Sequence, residues 1–271
     1  MFVSRTDWIS PLTFAGETVW QLGHGRGLSL GARGHLMAII NCTPDSFSDG
    51  GRHAGVAAAV GHALSCVDEG ASILDIGGES TRPGAEPVSA AEEQARVLPV
   101  IEALAGKTDA LISIDTYRAE TARLAVAAGA HIVNDVYGLR HDARMAEVVA
   151  RSGAGLVMMH TGRGRESEKL DDVIADQTLF FSTSLAMAEA GIARARIVLD
   201  PGFGFAKNAE DDLALMARFE ALQALGFPLL AGTSRKRFIG AITGRDLPAD
   251  RDVGTAATTA LLRLKGAHIF R

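Results

Sequence analysis

Asp115, Asn134 and Asp200 each close a short apolar run, Leu111 to Ile114, Ile132 to Val133 and Ile197 to Leu199 respectively. Two carboxylates and a carboxamide brought onto one ligand would suit a planar heterocycle rich in N–H donors with a few acceptors. Lys236 comes just after the apolar pair Leu229-Leu230, where a lysine can donate to a ring acceptor or offset charge, with Asp200 as its counter-ion. Asn41 and Asp49 offer hard oxygen ligands of the kind magnesium takes together with phosphate oxygens. Arg82 and Arg271 can fork onto such oxygens. Each residue also has a plainer reading. Asp115 could cap the following helix, Lys236 could belong to a solvated basic run (Arg235-Lys236-Arg237), and either arginine could be structural. Asp200 fits the cap reading less well, because Pro201 and Gly202 follow it.

His160 is a general base by residue type, although a lone histidine at a strand end is more often a satisfied polar side chain. Cys42 has no adjacent base and reads as structural rather than nucleophilic. There is no Ser/His/Asp arrangement, and the turn Gly202-Phe203-Gly204-Phe205 lacks the spacing of a dinucleotide fingerprint. The residues alone point to a magnesium-assisted enzyme acting on a planar heterocycle that bears a phosphate or pyrophosphate.

The elements that must position these side chains follow from one recurring event. Apolar runs stop abruptly at Asn41, Asp75, Asp115, Asn134-Asp135, His160, Asp200, the Gly232-Thr233-Ser234 step and Arg271. Most are followed by a loop and a helical stretch. One such stop is weak evidence, but eight in register read as an α/β chain folded as a (β/α)8 TIM barrel, whose active site lies at the C-terminal strand ends. Strands three, four and six lie on one arc of that mouth, which lets Asp115, Asn134 and Asp200 converge. Two βα loops exceed the usual length of about two to six residues. The first is acidic, ends in Gly50-Gly51 and carries Phe47, with a helical pattern from about Ala54. The second runs from Asp75 to Ser89, and Ser89 with Glu92 forms a capping-box signature.

The chain has 271 residues with a formal net charge of −5, which suits one barrel domain and argues against a general nucleic-acid binder. No apolar stretch reaches the length of a membrane span. Two cysteines without CxxC spacing fit a reducing cytoplasm and give no zinc signal. Residues 1–35 read as short strands or a hairpin closing the barrel bottom, with Trp8 and Trp20 as packing residues. The expected helices include Tyr117 to Ala128, one starting at Asp142, Asp211 to Leu225 and Gly254 to Lys265. After strand eight, Ala267 to Arg271, no eighth helix follows. We therefore expect a natural protein that continues beyond residue 271, and an outer face with Ile269 or Phe270 left exposed.

The two long loops carry a resemblance. Asn41-Cys42-Thr43-Pro44-Asp45-Ser46-Phe47-Ser48-Asp49-Gly50-Gly51 and Asp75-Ile76-Gly77-Gly78-Glu79-Ser80-Thr81-Arg82-Pro83-Gly84 resemble the first two loops of dihydropteroate synthases. Ser113-Ile114-Asp115-Thr116, Asn134-Asp135, Met159-His160, Asp200 to Phe205 with Lys207, and Ser234-Arg235-Lys236 follow in the family's order. The resemblance implies condensation of 6-hydroxymethyl-7,8-dihydropterin pyrophosphate with 4-aminobenzoate, giving 7,8-dihydropteroate and pyrophosphate, by a homodimer. By matching position, Asp115, Asn134, Asp200 and Lys236 would hold the pterin, and Arg271 the pyrophosphate. Asn41 and Asp49 would help place Mg2+. Phe47, Thr81, Arg82, Pro83, Phe205 and Arg237 would build the aminobenzoate pocket. Asp115, Asp200, Lys236 and Arg271 would carry the catalysis. The family typically follows the strand-five histidine with methionine, where this chain has Thr161-Gly162-Arg163-Gly164-Arg165. The family's last strand ends Arg-x-His, and this sequence stops at the arginine. Two other readings share the Asp/Asn constellation: a methyltransferase passing a methyl group from methyltetrahydrofolate to a corrinoid protein, and a catalytically silent pterin-binding barrel.

Overall fold

The computed structural model describes residues 17–43, 51–80, 86–165, 167–189 and 191–271. A hairpin of β1 (Thr18–Gln21) and β2 (Gly27–Leu30) comes first. Then strands and helices alternate: β3 (His35–Asn41), α1 (Gly51–Asp68), β4 (Ala71–Gly77), α2 (Ala90–Ala105), β5 (Leu111–Asp115), α3 (Ala119–Ala127), β6 (Ile132–Asp135) and α4 (Met145–Ser152). The series continues with β7 (Gly155–Met159), α5 (Val173–Ala188), β8 (Ile197–Asp200), α6 (Ala209–Ala217), β9 (Leu229–Ala231), α7 (Arg237–Thr243), α8 (Asp252–Leu264) and β10 (Ala267–Phe270). Strands β3 to β10 form one closed barrel in sequence order, with β10 paired in parallel to both β9 and β3.

Strand side chains alternate between faces, so each barrel strand serves two cores. The outer face, with residues such as Leu74, Ile112, Val133, Leu156 and Leu199, packs against the helices. Inside, every barrel strand gives one residue to an apolar cluster: Met37, Ile73, Leu111, Ile132, Val157, Val198, Leu230 and Ile269. Trp20, Leu22 and Leu30 of the hairpin segment join that cluster from below. Trp20 is 1% exposed, and its Nε1 donates to the carbonyl of Arg196 at 2.8 Å. Gly155 makes room for this plug, since a Cβ there would meet Leu22 Cδ2 at 2.4 Å.

The same pleat sets the storey above. Residues two or four further along share the interior face, which places Asp75 above Ile73, Ser113 and Asp115 above Leu111, Asn134 above Ile132, Asp200 above Val198 and Arg271 above Ile269. The barrel interior is therefore apolar below and polar toward the C-terminal strand ends.

Several boundaries differ from the expected ones. The second barrel strand runs past Asp75 to Gly77, and α1 begins at Gly51 rather than Ala54. Helix α3 starts at Ala119, not Tyr117, because the Thr116 hydroxyl donates to buried Glu93 (2.8 Å) and accepts from Arg118 N (3.2 Å), which turns the chain before the helix can begin. Helix α4 starts at Met145 instead of Asp142, whose carboxylate instead accepts from Ala119 N at 3.1 Å. The expected helix from Asp211 to Leu225 is α6 followed by a separate 3-10 turn, Phe219–Leu225. The expected exposure on the last strand is not found. Ile269 faces the apolar interior at 0%, and Phe270 is 8% exposed because the Gly34 backbone and the Arg263 stem meet there. Helix α8 does leave apolar side chains exposed, at Val253, Leu261 and Leu264.

Candidate active site

Four side chains at, near or just past the ends of four strands interlock in the polar storey. Arg271 donates from Nε to Asp75 Oδ2 at 2.6 Å and from Nη2 to Asp115 Oδ2 at 2.5 Å. Asn134 donates from Nδ2 to the same Asp75 oxygen at 3.0 Å. Asp75 is 0% and Asn134 2% exposed, and the Oδ1 atoms of both are buried without a hydrogen-bond partner. Burial pushes the Asp115 carboxyl above the ordinary carboxylate range, and the Arg271 guanidinium opposes that push. The same arginine is held above its own ordinary value by the two carboxylates against the cost of burial.

Asp200 stands at the end of β8. Burial raises its pKa, opposed by a hydrogen bond from Gly202 N to Oδ1 (2.8 Å) and by the charges of Lys236 and Arg271. Gly202 is required here. Its φ is +65°, and a Cβ would lie 2.1 Å from the carbonyl oxygen of His160. The Gly202 carbonyl accepts from Lys207 Nζ at 2.9 Å, and the same ammonium donates to His160 Nδ1 at 2.9 Å. The proton of His160 therefore sits on Nε2, which donates to Asp176 Oδ2 at 2.8 Å. Burial pulls His160 down to about 4 against the opposing hydrogen bond of Asp176. Both ring nitrogens are committed and the side chain is 1% exposed, so His160 orients the β8 loop and does not act as a base.

Lys236, the N-cap of α7, is half-buried with Nζ 4.4 Å from the centre of the Phe205 ring. Burial and the Arg271 charge pull it down to about 8, against the attraction of Asp200. Phe205, Val136 and Met159 form a small apolar cluster against which Tyr117 and Tyr137 pack. This gives the mouth an apolar wall beside its polar floor. Arg163, in the segment where the chain departs from the family pattern, puts its guanidinium 5.2 Å from the Phe205 centre. Arg235 turns away to Asp252, with Nε 2.6 Å from Oδ1, and Arg237 is exposed on α7. Cys42 is fully buried with its thiol pushed up to about 12 by desolvation, which rules out a nucleophilic thiolate.

Asn41 is exposed at the end of β3. Phe47, Asp49, Thr81, Arg82, Pro83 and Trp8 lie outside the described residues. The flanks of the second long loop are nevertheless visible. Arg118 donates to Glu79 Oε2 before it and to the Val88 carbonyl after it, both at 2.7 Å. Glu93, 1% exposed, lies 3.1 Å from Arg118 and accepts from Thr116 and Thr121 at 2.8 Å.

A profile of the family described as "Pterin binding enzyme" matches residues 37–271. The dihydropteroate synthase of Bacillus subtilis (strain 168) is 48% identical over 238 residues, 87% of this chain and 82% of that protein. The chain belongs to the dihydropteroate synthase family. A Xanthomonas albilineans dihydropteroate synthase solved with 4-aminobenzoic acid superposes with a TM-score of 0.87 at 46% identity, covering 94% of this chain and 92% of that one. The same enzyme in complex with 7,8-dihydropteroate gives a TM-score of 0.83 at 44% identity, over 93% and 92% of the two chains.

Within this family member, the residues expected at the pterin come together: Asp115 and Asn134 through Asp75 and Arg271, and Asp200 with Lys236 through their charges. Asp75 and Lys207 stand in the sequence only as a strand end and a motif residue without an assigned role, and Arg118 is not singled out there at all. Asp75 had a legible signal, because it sits two residues above Ile73 and shares the inward face of its strand. Lys207 and Arg118 act through partners 47 and 39 residues away, so no local pattern marks them.

Proposed function

We propose that this chain condenses 6-hydroxymethyl-7,8-dihydropterin pyrophosphate with 4-aminobenzoate, releasing pyrophosphate and forming 7,8-dihydropteroate in folate synthesis. The observation that carries the reading is the polar storey itself, with buried acceptors on Asp75, Asn134 and Asp200 beside the donors Lys236 and Arg271. Such a set suits a flat ring with an N–H-rich edge and one carbonyl. The wall of Phe205, Val136 and Met159 suits its faces.

The ring's methylene carbon loses pyrophosphate as the C–O bond breaks, and positive character spreads into the reduced pterin. Asp115 and Asp200 stabilise that charge, which is worth most in a low-dielectric site where the groups are already in place. The arylamine is neutral at pH 7, so it forms the C–N bond with its own lone pair and sheds its proton afterward. No strong base is needed, which agrees with the commitment of both His160 nitrogens. Asp75 and Asp115 engage two of the five N–H groups of Arg271, which leaves donors for the departing pyrophosphate. Phe47, Thr81, Arg82, Pro83, Phe205 and Arg237 are assigned to the aminobenzoate in the same reading.

Magnesium fits as an open site. Among the described residues no group of three or more His, Cys, Asp or Glu side chains could hold a metal ion. Exposed Asn41 offers one hard oxygen at the mouth, and magnesium commonly takes few protein ligands and completes its shell with water and phosphate. Asn41 and Asp49 would hold it, and it would offset charge on the pyrophosphate.

A homodimer is part of the proposal, supported by the apolar side chains that α8 leaves exposed. So is a cytoplasmic location, which two free thiols suit. No helix among the described residues is long and apolar enough to cross a membrane. The test is incubation with both substrates and magnesium. Equimolar pyrophosphate and dihydropteroate are expected, with competition by sulfonamides against aminobenzoate alone. Methyl transfer from methyltetrahydrofolate without pyrophosphate release would overturn the reading, as would ring binding with neither activity.

A further inference from the structure

We propose that Asp75 is a positioning residue that fixes the Asn134 carboxamide in one orientation, so that the pocket selects an amino group over an oxo group on the bound ring. The inference rests on the pterin reading above and deepens it. Asp75 Oδ2 accepts from Asn134 Nδ2 at 3.0 Å and from Arg271 Nε at 2.6 Å. A carboxylate offers only acceptors. If the Asn134 amide turned over, its Oδ1 would face Asp75 Oδ2 and two acceptors would meet in a site shut off from water. That orientation loses a charge-assisted hydrogen bond and adds repulsion.

Asp75 is itself held. Its strand is paired on both sides, it is 0% exposed, and Arg271 ties it to Asp115. The orientation of Asn134 is thus set from outside the ligand. What remains is a pair of buried acceptors on neighbouring side chains, Asn134 Oδ1 and Asp75 Oδ1, each without a hydrogen-bond partner. Buried polar atoms are nearly always paired, and the chemistry that pairs two adjacent acceptors is an edge of N–H donors. An exocyclic amine next to a ring N–H presents such an edge. An oxo group in the same position presents a third acceptor to the two already there.

The experiment measures, by calorimetry on the full chain, the affinities for pterin and for lumazine, which carries an oxo group in place of the 2-amino group. Asp75→Asn keeps the shape and frees the amide to turn, since an asparagine at 75 can meet either end of it. We expect the pterin-to-lumazine affinity ratio to fall about tenfold in Asp75→Asn. In an Asn134→Ala background, Asp75→Asn should leave the ratio unchanged. A fall of less than threefold in the first comparison, or an equal fall in both backgrounds, overturns the proposal, because a merely structural aspartate would weaken both rings alike. A second measurement needs no substitution. One of the two Asn134 side-chain amide protons, the one donated to buried Asp75, should exchange slowly with solvent by NMR before any ligand is added. Rapid solvent exchange of both protons would also overturn it. Wild-type protein that binds neither ring would instead refute the functional reading, while the amide signals still judge the Asp75–Asn134 lock.

Discussion

Replacing Arg271 with methionine tests the electrostatics of the polar storey most directly. The substitution keeps an unbranched apolar stem and removes two charge-assisted hydrogen bonds, to Asp75 at 2.6 Å and Asp115 at 2.5 Å. The ion pairs are largely removed from water, with side-chain exposures of 16% for Arg271, 0% for Asp75 and 7% for Asp115. Breaking a buried pair by deleting one partner costs about 3–5 kcal/mol, because the remaining charge is left uncompensated. That is a large share of a typical stability of about 5–15 kcal/mol. The loss should depend on pH in a defined direction. Burial already raises the Asp115 pKa, and Arg271 is the main group opposing that rise. Without the arginine the folded-state pKa climbs further above the unfolded value. A raised carboxyl favours folding at low pH, and that contribution is lost as pH rises through the folded pKa. The gap between wild type and Arg271→Met should therefore widen with pH, by at most about 1.4 kcal/mol per unit. Urea unfolding followed by far-UV circular dichroism at pH 6, 7 and 8 measures it. A loss below about 1 kcal/mol, or a gap that narrows as pH rises, would refute the argument that a buried, counter-charged pair sits here.

Asp200→Asn keeps an acceptor for Gly202 N but removes the charge; pterin affinity should fall about 10- to 150-fold by calorimetry, and a fall under threefold would count against the assignment. His160 is held below its ordinary 6.5, at about 4, by burial. Its stabilising contribution is present above 6.5 and drains away as pH falls toward 4, so His160→Gln should flatten the stability slope across that window by about 3 kcal/mol, as read by unfolding at pH 7 and pH 4.5. Gly202→Ala must find room at φ +65° against a carbonyl oxygen 2.1 Å away. A loss of about 1–3 kcal/mol should come with weaker pterin binding, because the turn that hydrogen-bonds Asp200 is displaced; unchanged binding in a folded variant would contradict the link.

The strand ends were legible because a barrel mouth needs polar residues where apolar runs stop, and eight stops cannot easily arise by chance. Asp115, Asn134 and Asp200 fell out of that pattern alone. Which groups touch one another did not, because the contacts cross the barrel. Arg271 reaches Asp75 over 196 residues and Asp115 over 156, and nothing in the sequence near any of them encodes the pairing. His160 could be read by type as a base, yet the two side chains that commit it, Lys207 and Asp176, belong to other segments. Ile269 or Phe270 was expected to be bare for want of a helix after the last strand, whereas Ile269 joins the apolar interior and the backbone at Gly34 and the stem of Arg263 cover Phe270.

The dry lower storey plugged by Trp20 acts as an insulator under the charges. Field lines from Asp75, Asp115 and Asp200 cannot spread downward into water, so they are driven out through the mouth, the way a low-dielectric wall focuses potential. A substitution that lets water into the floor, at Gly155 or Leu22 for example, would leave every side chain of the mouth in place and still weaken its pull on a ring gaining positive charge. The hairpin at the far end of the barrel is in that sense part of the electrical circuit of the site.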